Sequence, residues 1–396
     1  MADLAPAIQD APAAVGADDS DPRAHDQQVH HPDTEEQARD LLTRHPVADG
    51  LNGLPRELRL HSRRELNPGL LDLDLDLDIG EVGLHTDIPR LRAGRVGAQF
   101  WSVSAPEPDG RAGDHAVSAT LEEIDFVHAL VRTYPDALRL ALTADGVAEA
   151  RKRGRIASLL AAGGGHSIDS SLGTLRALFG LGVRRMALVG ERSTPWADAA
   201  ADEPRAGGLT RFGEEVVREM NRLGMLVDLS HSSPAAMRRA IAVSKAPVVF
   251  SHSAARAITD HPANVPDDVL AQLAARGGIC MVTFETEYVS REATGNGTVR
   301  DVADHLDHIR AVVGPDHTGI GAAYDSGCGV HPAGLEDTSC YPRLIAELLN
   351  RGWTDADLAK LTWQNTLRVM RDAEFTARTV QQRRAPSTAT IAQLDG

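Results

Sequence analysis

Short runs of β-branched and aliphatic residues recur along this chain, and the gaps between most of them are long enough to hold a helix. That alternation constrains the fold more than any other feature. The runs are the one ending at Ala48, then 96-VGAQFWSV-103, 156-IASLLAA-162, 185-RMALVG-190, 225-MLVDLSH-231, 246-APVVFSHS-253, 278-GICMVTFE-285 and 318-TGIGAAYD-325. Most intervening segments carry helical spacing, as in 211-RFGEEVVREMNRLG-224, which closes on a glycine, and 233-SPAAMRRAIAVSK-245. Eight strands separated by helices predict an α/β protein whose parallel strands close into a (β/α)8 TIM barrel. The stretch 342-PRLIAELLNRGWTDADLAKLTWQNTLRVM-370 reads as two or three extra C-terminal helices packed on the barrel, with Thr354 as a helix cap.

The ends of the chain look different. Residues 1–33 are Ala, Asp, Pro, Gln and His in no periodic order, too poor in large apolar groups to offset chain entropy, and read as a disordered acidic tail. Residues 1–40 hold ten acids against Arg23 and Arg39, over half of the net charge of −15. The body, residues 34–379, is therefore only mildly acidic and has no basic stripe of the kind that tracks phosphates, which argues against nucleic acid as a partner. From about residue 380 onward (380–396), QQRRAPSTATIAQLDG reads as a loose tail. The patch 71-LDLDLDLDI-79 alternates with period two and reads as a solvated edge strand or hairpin, since a straight strand does not converge its carboxylates on a calcium ion. No apolar run approaches the roughly 18 residues of a membrane span. Cys280, Cys328 and Cys340 make no disulfide framework, and the N-terminus lacks a signal-peptide pattern, so the expectation is a cytoplasmic protein without a membrane partner.

In a barrel of this kind the carboxyl ends of the strands build the active site. His231 closes VDLSH and His252 sits in FSHS, on successive strands, so both imidazoles are candidates for one axial cavity. Two neutral imidazoles suit a zinc ion; the same pattern fits a pair of buried, hydrogen-bonded histidines. Glu285 ends the seventh run, Asp325 the eighth, and Glu191 follows the fourth, so acids gather at the same expected mouth. Cys328 and His331 in 327-GCGVH-331 are further candidates for a nucleophile or ligand.

With these residues the body resembles the membrane (renal) dipeptidase family, barrel hydrolases of the metal-dependent type that cleave dipeptides with two bridged zinc ions. The resemblance rests on 86-TDIPRLRAGRVGAQFWSV-103, 164-GGHSIDSSLGTLRALFGLGVRRMAL-188, 208-GLTRFGEEVVREMNRLGMLVDLSH-231, 246-APVVFSHSAARAI-258, 264-NVPDD-268 and 337-DTSCYPRLIAELLNRG-352, all in family order. The family opens its barrel with D-G-H-N-D, whose His and second Asp bind zinc; here the positions are Asp49, Gly50, Leu51, Asn52 and Gly53. The bridging Glu falls on Gly163. The assisting His of L-T-H-N falls on Gly190, the substrate-binding Arg of R-N-V-P-D-D on Ala263, and the water-orienting Asp of G-x-D-F-D-G on Ala323. Of the metal ligands the resemblance implies, His231 and His252 remain, the pair that would hold the second zinc.

The resemblance therefore implies a degenerate member in which the family zinc is lost and no cofactor replaces it. Three readings stay open. One is a metal-independent enzyme for an amino-acid-derived or peptide-like small molecule, a biosynthetic role being one form of it. In it His231, His252, Glu285 and Asp325 carry out proton transfer, and Leu51, Gly53, Gly163, Gly190, Glu191, Ala263 and Ala323 shape an enlarged substrate pocket. A second is a non-catalytic binding or scaffolding protein. A third is a dipeptidase kept active by one ion on His231 and His252, with Asp325 as a candidate third ligand. The family resemblance further implies a homodimer.

Overall fold

Strands that are covered on both faces can be apolar along their whole length, and the runs read from the sequence have that character. In the computed structural model, which describes residues 32–65, 83–103, 115–291, 296–327 and 330–396, they form nine parallel strands. These are β1 (Val47–Asn52), β2 (Val96–Ser102), β3 (Leu138–Leu140), β4 (Ile156–Ala162), β5 (Val183–Ala187), β6 (Leu226–Asp228), β7 (Val248–Ser253), β8 (Ile279–Val282) and β9 (Thr318–Ile320). Every residue of β1, β4 and β7 is buried. The sheet runs β2-β1-β9-β8-β7-β6-β5-β4, and β2 pairs with β4 from Ala98↔Ala157 to Ser102↔Ala161, closing an eight-stranded barrel. The ninth strand, β3, pairs only with the first three residues of β4 (Leu138↔Ile156 to Leu140↔Ser158) and lies outside the ring.

Helices follow the strands where the sequence supplies their ends. Thr210 caps Arg211–Leu223 by accepting from the Gly213 N–H, and Gly224 ends it at φ 83°, the left-handed conformation that a residue without Cβ adopts freely. Ser233 caps Pro234–Val243 and Asp87 caps Ile88–Ala93, each with proline in the first turn. Thr354 caps Asp355–Ala359 as the sequence predicts, and this helix passes through one π turn, Lys360–Gln364, into the long helix Asn365–Gln381.

That last helix closes the amino-terminal end of the barrel. Asn365 donates to the Pro315 and Thr318 carbonyls at 2.8 and 2.9 Å, where β9 begins. Trp363, Leu367 and Met370 join Ala48, Phe100, Leu159, Val249 and Met281 of the strands in one apolar cluster. With this end plugged, the opposite, carboxyl end is where a ligand can enter.

Two boundary expectations change. Residues 380–396 are not loose: Arg384 pairs with Glu215, Arg176 donates to the Ser387 carbonyl at 2.8 Å, and a short helix, Ile391–Asp395, packs on helix Arg211–Leu223. The Asp395 carboxylate accepts from the Arg211 and Phe212 N–H groups at 3.0 and 3.1 Å, the favourable place for an anion at a helix start, while Ile391 and Leu394 pack against the core. At the other end, Pro32 and Asp33 already belong to helix Pro32–Arg44. The rest of the expected acidic tail, the 71–79 patch and Cys328 lie outside the described residues. Among the described residues no helix is long and apolar enough to cross a membrane.

Candidate active site

At the carboxyl end of the strands lies a cavity of about 360 Å³, and Leu51, Gly53, Gly163, Gly190, Glu191, His231, His252, Glu285 and Asp325 all line it. Several of these residues stand just beyond their strands rather than inside them. β6 stops at Asp228, β8 at Val282 and β9 at Ile320. His231, Ala323 and Asp325 take φ of 61°, 61° and 56°, left-handed values that end extended pairing. His252 alone of the four candidate proton carriers sits within a strand.

The two histidines meet. His231 Nε2 lies 2.9 Å from His252 Nε2, and His252 Nδ1 lies 2.7 Å from the Ser251 hydroxyl. Below them Asp228 accepts with one oxygen from the Ser230 N–H (3.0 Å), the Ser230 hydroxyl (2.9 Å) and the Ser251 N–H (3.1 Å), while its other oxygen faces Arg185 at 3.2 Å. Arg185 also stacks on Phe100, 4.4 Å from the ring centre. Burial alone would raise the Asp228 pKa, but the Arg185 guanidinium, then His252 and the serine donors, hold it below the ordinary carboxylate value. Burial pushes the His252 pKa down to about 3, with His231 and Arg185 adding to the effect, and it lowers that of His231 as well. The pair is therefore neutral near pH 7, and the Nε2–Nε2 contact is a hydrogen bond in the tautomer that puts one ring's hydrogen on Nε2.

The acids are arranged otherwise than a simple rim of bases. Glu285 accepts from the Thr283 and Ser326 hydroxyls at 3.2 and 3.0 Å. The acids that act electrostatically on the imidazoles are Asp228 and, for His231, Glu191. Asp325 accepts from the His85 N–H at 2.8 Å and meets His85 Nδ1 at 3.0 Å. Deeper still, Asp49 is fully buried between the Gln99 amide (2.6 Å) and the Ala322 N–H (2.7 Å), and burial raises its pKa to about 6.

Two expected pocket residues are not on the lining. Ala263 lies behind His261, whose Nδ1 accepts from its N–H at 3.3 Å and whose ring packs on Tyr288, 4.3 Å between centres; Tyr288 forms the wall instead. Ala323 has no exposed surface, gives its N–H to the Leu51 carbonyl at 3.1 Å and is absent from the lining. The lining adds Arg56, Ser102, His166, Arg185, Asp228, Tyr288 and Ser326, which strand-end reasoning missed. The available signal was a charge inside an apolar run, as with Arg185 in VRRMALV and Asp228 in MLVDLS.

Among the described residues no three His, Cys, Asp or Glu side chains converge as a metal site, whereas each protein-bound zinc needs at least three such donors. The space matters too: a Cβ added at Gly53 would fall 1.9 Å from the Asp325 carbonyl oxygen, so that loop contact has no room for a carboxylate in its present form.

The family model described as membrane dipeptidase (peptidase family M19) matches residues 35–384. Dipeptidase 3 of Mus musculus is 44% identical over 349 residues, covering 87% of this chain and 67% of the relative. Dipeptidase verJ of Clonostachys rogersoniana is 41% identical over 345 residues, 84% of this chain and 86% of that one. Among solved structures, a metallo peptidase from Rhodobacter sphaeroides, liganded with a phosphinate mimic of the dipeptide L-Ala-D-Ala, superposes with a TM-score of 0.74 at 25% identity, covering 83% of this chain and 99% of that one.

Proposed function

The chain belongs to the membrane dipeptidase family, and from that premise we propose that it is an enzyme that has given up the binuclear zinc site and works on an amino-acid-derived or peptide-like small molecule by proton transfer. The observation that carries this reading is the His231–His252 contact at 2.9 Å inside the cavity, with no third metal donor beside it among the described residues. Leu51, Gly53 and Gly163, at positions where the family resemblance places zinc ligands, add volume or apolar surface to the lining instead. Desolvation by an isobutyl group disfavours a bare cation.

The chemistry follows from the hydrogen bond between the two rings. A substrate atom that separates the two Nε2 atoms meets one nitrogen carrying hydrogen and one carrying a lone pair, an acid and a base in one contact. The Ser251 hydroxyl on His252 Nδ1 lets that ring change tautomer without losing its partner, because a hydroxyl both donates and accepts. Asp228 stabilises whichever imidazole gains charge. The ligand is a small molecule, neither nucleic acid nor membrane; the protein is a cytoplasmic homodimer in this reading.

The names of the relatives favour a second reading, peptide hydrolysis with a single ion on His231 and His252. Elemental analysis and dipeptide turnover with and without chelator separate the two. The proposal expects well under one zinc per chain and no chelator-sensitive dipeptide hydrolysis; about two zinc ions per chain, or robust turnover abolished by chelator, would overturn it.

A further inference from the structure

A second cavity, of about 500 Å³, lies on the outside of the barrel and shares no lining residue with the one at the carboxyl ends of the strands. It opens between helix Arg211–Leu223 and the long helix Asn365–Gln381, beside the stretch that leads into β7. Its lining carries four cations, Arg218, Lys245, Arg383 and Arg384, and no Asp or Glu among the described residues. Phe375, 64% exposed, and the half-buried Val380 supply an apolar side. An exposed phenyl alone is ordinary. Convergent polar anchors and an apolar wall in one concave space are the makeup of a small-molecule site.

The charges do not balance within the protein. Arg218 meets Glu214 at 2.6 Å and Glu215 at 3.6 Å, and Arg384 also pairs with Glu215. Glu214 is shared again with Arg239. The side chains of Lys245 and Arg383 are exposed and make no ion pair or hydrogen bond among the described residues. Two carboxylates against four cations leave a surplus of two positive charges around the cavity. Like charges held together repel, and an anion between them relieves that cost.

We propose that this cavity binds a small phosphomonoester with an apolar body, its phosphate on Lys245 and Arg383 and its body against Phe375 and Val380. A phosphomonoester carries about −1.5 to −2 charge near pH 7 and three acceptor oxygens, which matches the surplus; a carboxylate brings one charge. Arg218 and Arg384 add to the field, and the planar fork of arginine suits phosphate oxygens. The four cations come from separate segments of the chain and gather only in the fold, so no basic stripe marks the site in the sequence. The inference stands apart from any reading of the histidine pair.

Ligand-observed proton and phosphorus NMR on the full-length protein, in Tris buffer with EDTA, tests it with phenyl phosphate as the probe. Benzoate, phenol and inorganic phosphate are the comparisons. Phenyl phosphate should bind about tenfold or more tightly than each of them, because it alone meets both the charge and the apolar wall. Joint reversal of the two exposed cations, Lys245→Glu with Arg383→Glu, should weaken it about tenfold or more. Phe375→Ser should remove its advantage over inorganic phosphate while phosphate itself still binds. Arg56→Met, in the other cavity, should leave its affinity unchanged. No binding of phenyl phosphate at millimolar concentration, affinity equal to that of benzoate, or loss on Arg56→Met in place of the charge reversal would overturn the proposal. Sedimentation with phosphatidic acid vesicles separates a soluble ester from a lipid headgroup: vesicle capture that needs Lys245 and Arg383, without binding of phenyl phosphate, would also overturn it. So would a change in solution mass on Phe375→Ser with no ester bound by the wild type, which would assign the groove to a contact between copies of the chain.

Discussion

The wall of the cavity built from β6 and β7 and the wall built from β1, β4 and β5 are made in opposite ways. On the first, Asp228 accepts three hydrogen bonds and faces Arg185, and the bonded atoms continue through Ser230 and Ser251 to His252 and His231. On the second, apart from Arg185, which β5 extends to Asp228 on the first wall, and the flanking His166 and Glu191, Leu51, Gly163 and Gly190 offer the cavity an aliphatic side chain and bare backbone. Function on the first wall depends on polar atoms fixed by their neighbours; on the second it depends on volume. The two walls should therefore answer mutation differently, the first through rate and protonation and the second through packing.

The largest effect is expected on the polar wall. His252→Ala should lower activity about 10²–10⁴-fold, the usual contribution of general acid–base catalysis, with a smaller change in the thermal midpoint, and His231→Ala should do the same. Both are checked by steady-state kinetics beside thermal unfolding on the same samples. If these were merely buried, hydrogen-bonded histidines, stability would fall while activity per folded molecule persisted, and the contrast between the walls would disappear.

The second effect belongs to the emptied wall. Gly53 gives its N–H to the Tyr324 carbonyl at 2.8 Å, and a Cβ there would fall 1.9 Å from the Asp325 carbonyl oxygen, so the loops after β1 and β9 touch through a position that only glycine fits without movement. Gly53→Asp should cost about 3 kcal/mol of stability, the upper part of the usual range for overpacking, read from denaturant unfolding. A stable Gly53→Asp variant would mean that this wall is soft enough to readmit a carboxylate.

How far the sequence reveals the two walls depends on where their information lies. The eight barrel strands are legible because each is an apolar run bounded by helical spacing; β3 is not, because its three residues, Leu138–Leu140, are too short a run to stand out and pair only with the start of β4. His231 and His252 are legible from their place at strand ends. Arg185 and Asp228 are not, because their partnership spans adjacent strands and depends on barrel closure. Ala263 and Ala323 mislead for a related reason: the motif fixes their position in the chain, but whether a methyl faces the cavity depends on His261, Tyr288 and the Leu51 carbonyl. The C-terminal segment looks like a tail since its docking uses single residues, Arg384, Ser387 and Asp395, on a helix far earlier in the chain.

The third effect returns to the polar wall, through pH. The folded-state pKa of His252 lies near 3, below the ordinary value of 6.5. Between these values the unfolded chain binds a proton that the folded chain refuses, so the stability contribution is whole above pH 6.5 and is lost as pH falls toward 3. Wild type should lose about 2 kcal/mol more than His252→Asn between pH 6.5 and 4.5, since each unit of uncompensated protonation is worth about 1.4 kcal/mol. Equal acid sensitivity of the two proteins would show that His252 accepts its proton in the folded state at no cost.

The smallest effect concerns Leu51. It is 6% exposed, and its carbonyl accepts the Ala323 N–H at 3.1 Å, so the backbone is fixed while the side chain borders the cavity. Leu51→His replaces one side chain by another of similar size at a wall that already has space, and should change stability by less than about 1.5 kcal/mol. It also restores the imidazole that the family resemblance places there, yet the carboxylates at Gly53 and Gly163 remain absent. One added imidazole gives a third nitrogen near His231 and His252 only if it reaches them across the cavity. With no bridging carboxylate to share between ions, the variant should not take up two zinc ions, and elemental analysis after zinc loading should find at most one per chain. A full pair of ions from this single substitution would mean that other groups on the lining can complete the sites, and that the two walls differ less than their present side chains suggest.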